Sequence, residues 1–408
     1  MEVEVRAIGR DELPKLGRVF CTVVGDELGR DLIADFGYLF EPERSLCAFD
    51  GDAMVATGGV FSFELTVPGG VVSTGGLTLV SVLPTHRRRG IMRTMVQRHF
   101  EELRTRGEQI SVLTASESLL YGRFGYGPAT WSARFEIDRR HAAFAWPVTD
   151  SGRVRIVEGK EAAQLLPAAF DSARRACPGQ VSRSPAWWEL RLRDPESTRH
   201  GDGTRVHVVH ESAPGQVDGY ASYRLQGRWI DGVPDGLVQV QELMTQSPGA
   251  AAALWCFCLN LDLTTTVELH NRPVDEPLRW LLADPRRLRM TLLADFLWLR
   301  LLDLPGALAA RRYGGGGQLV FEVADRLVPS NEGRFLLDAD PNGAACTRTS
   351  AEPDVRLDIA DLGAAYLGGV RFANLAAAGR VHETRLGGLA RADALFATER
   401  APWCATEF

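Results

Sequence analysis

The sequence predicts a mixed α/β protein built as three successive domains. Three observations carry that prediction. Strand-like and helix-like segments interleave over the first 150 residues, the same order of elements restarts near residue 150, and the texture of the chain changes from about residue 290. The expected divisions are residues 1–150, 151–289 and 290–408. A length of 408 residues suits two or three domains, and an apolar share of 45% is enough to fill their cores.

In the first segment, residues 3–7 alternate as a strand and residues 11–23 have helical spacing. Residues 45–49 and 54–66 are strands joined through Asp50-Gly51-Asp52, a turn signal. Pro68-Gly69-Gly70 turns the chain into a further strand from Val71. Apolar residues then recur at helical period as Met92, Met95, Val96, Phe100 and Leu103, until Gly107 stops the helix. Residues 110–114 are expected as a short buried strand. Ser116 is expected to cap a brief helix carrying Tyr121, and residues 130–137 to form the last strand of this domain.

The second segment repeats that order without repeating the sequence. Residues 154–157 suit a strand and 161–177 a helix, and Ser184-Pro185 caps a helix holding Trp187 and Trp188. Strands follow near 206–210, 216–224 and 238–244. Ser247-Pro248 starts a helix over 249–259, followed by a strand at 263–269 and a short helix at 277–282. The third segment opens on the apolar stretch 292–302 and a helical stretch at 305–312. The four-glycine run 314–317 is a turn, lacking the Lys-Ser/Thr of a phosphate loop. Strands are expected at 319–323 and 333–338, and helices at 360–366, 372–378 and 391–397.

A net charge of −6 argues against coating nucleic acid or an anionic membrane. The first residues are acidic and alternating, unlike a secretory leader, and no apolar run reaches the roughly 20 residues that span a bilayer. The seven cysteines are dispersed. Cys256 and Cys258 are near each other but lack zinc-ligand spacing, so no metal is expected, and the thiols suit a reducing cytoplasm.

The most informative stretch runs from Leu79 to Arg93. It predicts a strand (Val80, Ser81, Val82), a basic loop (Arg87, Arg88, Arg89, Gly90) and a helix start (Ile91, Met92, Arg93). The first N–H groups of a helix have no internal partner and the dipole there is positive, so this arrangement is an anion site fit for phosphates. The corresponding run in the second segment, residues 241–248, lacks the arginines and the glycine, and a degenerate copy is inferred.

Val80-x-Val82-x-Pro84-x-x-Arg87-x-x-Gly90 resembles the acyl-CoA signature of the GNAT N-acetyltransferases, although Met92 replaces a usual small residue. Leu120-Tyr121-Gly122-Arg123-Phe124-Gly125-Tyr126 resembles that family's aromatic segment, in which the tyrosine is the usual general acid. Arg87 to Arg93, Ala115-Ser116-Glu117, Leu297 to Arg300, Tyr366 to Gly369 and the ending from Ala401 to Phe408 are similar to the Eis (enhanced intracellular survival) family. The resemblance implies tandem GNAT-like domains, the second without cofactor, and a sterol-carrier-protein-like α+β C-terminal domain. It also implies a homohexamer. It assigns acetyl-CoA to Val80–Val82, Arg87–Arg93 and Ser116.

Acetyl transfer to an amine needs a neutral nucleophile, a polarised carbonyl and a proton for the leaving thiolate. Tyr121 suits the last, because a reference pKa near ~10 lies close to a thiol's ~8.5. The N–H of Val82 is expected to polarise the carbonyl. For the base, Glu117 is one candidate. The family resemblance implies another, the terminal carboxylate, which here belongs to Phe408. A free α-carboxylate titrates near ~3.5, so desolvation must raise it or a water must relay the proton. The resemblance implies an acidic and aromatic acceptor pocket, for which Asp26, Phe36 and Glu407 are the candidates here. Thr114 and Leu79 depart from the family, which places a histidine and an aromatic there. The expected activity is acetyl-CoA-dependent acetylation of cationic small-molecule amines such as aminoglycosides. The alternatives are acetylation of a protein lysine or N-terminus and, in a different class, lipid or sterol carriage by the C-terminal domain.

Overall fold

The computed structural model describes residues 3–25, 37, 39–149, 152–196, 199, 202–340 and 342–408. The chain forms two compact units, one of residues 1–130, 296–399 and 407–408, the other of 131–295 and 400–406.

The first unit begins with β1 (Glu4–Ala7), α1 (Leu13–Val24), β2 (Leu46–Asp50), β3 (Ala53–Val67), β4 (Gly70–Val82), α2 (Ile91–Thr105), β5 (Ile110–Thr114), α3 (Ser118–Tyr121) and β6 (Gly127–Pro128). The second unit holds β7 (Trp131–Asp138), β8 (Arg153–Val157), α4 (Gly159–Arg174), α5 (Pro185–Leu192), β9 (Val206–Ala213), β10 (Gln216–Gln226), β11 (Trp229–Ile230), β12 (Val233–Pro234), β13 (Gly236–Thr245), α6 (Pro248–Leu259), β14 (Thr264–Arg272), α7 (Leu278–Leu281) and β15 (Arg289–Asp295). The chain then returns to the first unit with β16 (Leu297–Leu301), α8 (Leu304–Ala309), β17 (Gly317–Ala324), β18 (Gly333–Asp340), β19 (Gly343–Arg348), β20 (Val355–Asp358), α9 (Ile359–Ala365), α10 (Phe372–Ala377), β21 (Val381–Glu383) and α11 (Gly388–Phe396).

Two seven-stranded sheets result, ordered β1-β2-β3-β4-β5-β16-β6 and β15-β7-β14-β13-β10-β9-β8, with a five-stranded sheet β19-β18-β17-β20-β21. In the first sheet β3 and β4 form a long antiparallel hairpin, and β5 pairs parallel to β4 only at Thr74↔Ile110, Gly75↔Ser111 and Gly76↔Val112. The second sheet repeats the device: β13 runs parallel to β14 from Gly236↔Thr264 to Val240↔Leu269 and no further.

The expected last strand of the first domain, 130–137, is displaced. As β7 it lies between β14 and β15 in the second sheet. Its expected place is taken by β16, which pairs with β5 from Leu297↔Thr114 to Leu301↔Ile110. The apolar stretch 292–302 is therefore not one element of a third domain but parts of two strands in two sheets. Strand pattern reports burial, whereas pairing is decided by contacts across well over 100 residues of sequence. β16 is buried along its whole length, which explains why all but one of its residues are apolar. Its one charge, Arg300, is held by Asp325 at 2.8 and 2.6 Å. β15 is an edge strand and leaves Met290, Leu292 and Leu293 exposed.

In the C-terminal part, Phe321, Phe372 and Phe396 pack edge to face or tilted, with ring centroids 5.0–6.1 Å apart. The buried Arg311 guanidinium lies 4.4 Å over the Phe396 ring. Among the described residues no helix is long and apolar enough to cross a membrane.

Candidate active site

The site is built where β4 and β5 part. Thr57 faces Ser81 and Gly59 faces Thr78, so Leu79 and Val80 together oppose Gly58. This is a β-bulge, and Leu79 takes φ +49° to make it. The Thr57 hydroxyl pins it, donating to the Leu79 carbonyl at 2.7 Å and lying 2.7 Å from the Ser81 hydroxyl. A bulge bends its strand, and here β4 leaves β5 just beyond Gly76. The Leu83 N–H donates to Val55 on the β3 side. Alternation then turns the Val82 N–H to the opposite side, into the widening gap.

The basic loop follows. Arg88 at φ +62° and Gly90 at φ +81° are both left-handed, which turns successive N–H groups toward one point. Gly90 is the N-cap of α2 and has no side chain to occupy the first N–H groups, so those of Ile91, Met92 and Arg93 remain available. The arginines divide. All four are exposed; Arg87 Nε donates to the Val82 carbonyl at 3.2 Å and Arg89 reaches Asp50 at 3.8 Å. Two of the expected phosphate ligands thus lean on the protein, while Arg88 and Arg93 extend into solvent.

Side chains on β5 alternate between faces. Ser111 and Leu113 point to the α2 side. There the Ser111 hydroxyl lies 2.7 Å from the Tyr126 hydroxyl, and Tyr126 meets Tyr121 edge to face at 6.2 Å. Tyr121 packs with Leu77, Val96, Phe100 and Leu113 and is only 5% exposed. Burial holds its hydroxyl above the ordinary tyrosine value; a hydrogen bond with Ser116 opposes this and the Glu117 charge adds to it. Tyr121 therefore carries its proton at neutral pH. The expected capping role of Ser116 is not observed. Glu117 is the N-cap of α3 and makes no side-chain cap, while Ser116 serves Tyr121 instead.

Val112 and Thr114 point to the other face. There the Thr114 hydroxyl donates to the main-chain oxygen of Phe408 at 2.8 Å. The Phe408 ring lies 4.9 Å from Phe63 and 6.4 Å from Phe61, over Gly76. A Cβ on Gly76 would fall 2.5 Å from Phe63 and 3.0 Å from Phe408, so the glycine admits both rings. Tyr121 and Phe408 thus stand on opposite faces of one sheet, beside the same gap. Glu407 is exposed. Asp26 and Phe36 lie outside the described residues. Thr114 stands at the position where the family resemblance implies a histidine, whereas Phe61, Phe63, Ser111 and Tyr126 are site neighbours that the sequence does not mark. Ser111, a lone hydroxyl inside an apolar buried strand, was the available signal.

The start of α6 in the second unit does not repeat this arrangement. At the start of α6, Pro248 has no N–H and the Ser247 hydroxyl takes the Ala250 N–H at 3.1 Å.

The chain is similar to known proteins over nearly its whole length. Residues 4–129 and 179–301 each match an acetyltransferase (GNAT) domain family, and residues 304–405 match a sterol carrier protein domain. A chain from Streptomyces avermitilis described as an uncharacterised N-acetyltransferase is 40% identical, over 99% of each chain. The N-acetyltransferase Eis of Mycobacterium tuberculosis is 36% identical over 88% of this chain and 87% of its own. The crystal structure of Eis1 from Mycobacterium abscessus superposes with a TM-score of 0.88 at 35% identity, covering 99% of this chain and all of that one. The protein is thus an N-acetyltransferase of the GNAT class, with tandem GNAT domains and a sterol-carrier-like C-terminal domain. Within that class, the chain belongs to the Eis family.

Proposed function

We propose that the chain moves the acetyl group of acetyl-CoA to amino groups of cationic small molecules such as aminoglycosides, at one or more positions. The observation that carries this reading is the placement of Tyr121 and Phe408 on opposite faces of the sheet, where β4 and β5 part. The N–H groups of Ile91 to Arg93, with Arg88 and Arg93, would hold the pyrophosphate, and Val80–Val82 the pantetheine arm. The amine approaches from the Phe408 face. The carboxylate of Phe408, as the last residue of the sequence, takes a proton from the ammonium, directly or through water. The amine nitrogen bonds to the carbonyl carbon while the Val82 N–H polarises the oxygen. The C–S bond then breaks, Tyr121 gives its proton to the sulfur, and the second proton lost by the nitrogen restores the tyrosine while the Phe408 carboxyl releases the first to solvent. An ammonium and a thioester yield an amide, a thiol and one proton released to solvent. In this reading residues 1–150 act on substrate, 151–289 hold no cofactor and 290–408 supply the terminal carboxylate.

An amine panel with acetyl-CoA, read as released thiol, tests the proposal. Thiol release with aminoglycosides is expected. Release only with lysine-bearing peptides would replace the small-molecule reading by protein acetylation. On the family resemblance we also propose a cytoplasmic homohexamer. The exposed apolar edge of β15 supports self-association, and light scattering of the purified chain tests it.

A further inference from the structure

The wedge between β13 and β14 does not stand open. Arg272 crosses it, donating from NH1 to the Leu243 carbonyl at 2.8 Å and from Nε to Glu276 at 2.8 Å. Residues 400–406 of the chain's own tail pack into the same place. Asn271 on β14 donates to the Cys404 carbonyl at 3.0 Å and accepts from the Trp403 indole at 3.1 Å. The Trp403 ring lies 4.8 Å under the Arg272 guanidinium and joins the cluster of Phe170, Trp188, Tyr220 and Met244. The Trp403 N–H donates to Pro178, and the Ala405 N–H to the Gln180 side chain.

On the β13 side the tail meets Arg183. This guanidinium is buried, stacks 3.9 Å over Phe170 and is held by Glu242 at 2.6 and 3.2 Å. Glu242 is fixed in turn by Arg191 at 3.1 Å and the Tyr220 hydroxyl at 2.9 Å. So fixed, Arg183 turns two further donors to the tail: Nε to the Thr406 hydroxyl at 2.9 Å and Nη2 to the Ala405 carbonyl at 3.3 Å.

We propose that the second GNAT domain, having no phosphate cradle, serves as the dock for residues Trp403–Thr406, with Arg183 and Asn271 as positioning residues for catalysis. The inference rests on the assignment of the Phe408 carboxylate as base. A carboxylate two residues beyond a fixed Thr406 can range over no more than about 7 Å of chain. A tail loose from residue 399 would sweep a far larger volume, and its local concentration at the site would fall accordingly. Docking of Trp403–Thr406 therefore restricts, through the chain alone, where the carboxylate can go.

The test uses full-length chains carrying Thr406→Val, which keeps shape but removes the acceptor for Arg183, and Asn271→Gly, which keeps the left-handed backbone at φ +44° but removes both side-chain bonds. Thr406→Ser is the conservative control, and a chain with one glycine added after Phe408 tests the base alone. Amide exchange at Trp403 and Ala405, and kcat and KM for acetyl-CoA, are measured on each. Each docking variant is expected to exchange at least about tenfold faster at those two amides and to lose about tenfold in kcat with KM unchanged. Thr406→Ser should restore both values. Unchanged exchange overturns the dock, whatever the activity. Faster exchange with unchanged kcat overturns the positioning role. In that case, an inactive glycine-extended chain leaves the base assignment standing, and an active one removes that assignment as well.

Discussion

Thr114, the last residue of β5, donates a 2.8 Å hydrogen bond to the main-chain oxygen of Phe408, 294 residues away in sequence. On the proposed assignment of the Phe408 carboxylate as base, this bond would hold that group beside the end of β5. A hydrogen bond to a charged acceptor contributes about 1.5–3 kcal/mol. Thr114→Val should therefore lower kcat about tenfold or more with KM for acetyl-CoA unchanged, and Thr114→Ser should recover most of the loss. An undiminished kcat in steady-state kinetics would detach Thr114 from the reaction.

Tyr121→Phe should keep the fold, because the ring is buried and its hydroxyl is a small part of the contact. It should lower kcat by about 10²–10⁴, the usual worth of a general acid. Burial raises the Tyr121 pKa, so the alkaline limb of the rate profile should lie above the ordinary tyrosine value. Ser116 lowers that pKa. Ser116→Ala should then move the limb to still higher pH, and a limb moving down would reverse the assignment.

Arg88→Ala and Arg93→Ala should each raise KM for acetyl-CoA several-fold, an effect fading as salt screens exposed charge. Arg89→Ala should do less, because Arg89 is turned toward Asp50. Equal effects of all three substitutions would mean that the loop rearranges around the phosphates.

Asp325 accepts two hydrogen bonds from Arg300, one each from the Leu327 and Val328 N–H groups and one from the Asn331 amide, all but the Leu327 bond fully buried. Asp325→Ala would leave the Arg300 charge buried without its partner, a loss of about 3–5 kcal/mol. The double variant with Arg300→Met should lose much less than the sum of the single losses. Denaturant titration reads both.

His99 is buried under β3, and its Nε2 has no hydrogen-bond partner among the described residues. Burial, reinforced by the Arg44 charge, lowers its pKa from 6.5 to about 3. Below about pH 6.5 the unfolded chain binds a proton that the folded chain refuses until about pH 3. Stability should therefore fall as pH drops through that window, by up to about 1.4 kcal/mol per unit from this group. His99→Leu should flatten this part of the acid unfolding curve; an unchanged slope would locate the loss elsewhere.

Taken alone, the sequence determined the elements that local chemistry specifies. The helix capped by Gly90, the turn at Asp50-Gly51-Asp52, the cap at Ser247-Pro248 and the strand, basic loop and helix start from Val80 to Arg93 are all written in neighbouring residues. Periodicity, capping and left-handed glycines act over a few positions and can be read there. Tertiary structure alone decided which strands exchange sheets, that β16 rather than β7 completes the first one, and that Thr114 meets Phe408. It also decided that Ser116 serves Tyr121 rather than a helix end, and that Arg183 holds the tail. Each of these is a pairing between groups remote in sequence. Loop closure over such distances costs little extra per residue, so many partners are open to a strand or a side chain. The choice among them is made by simultaneous burial, which the folded chain alone expresses.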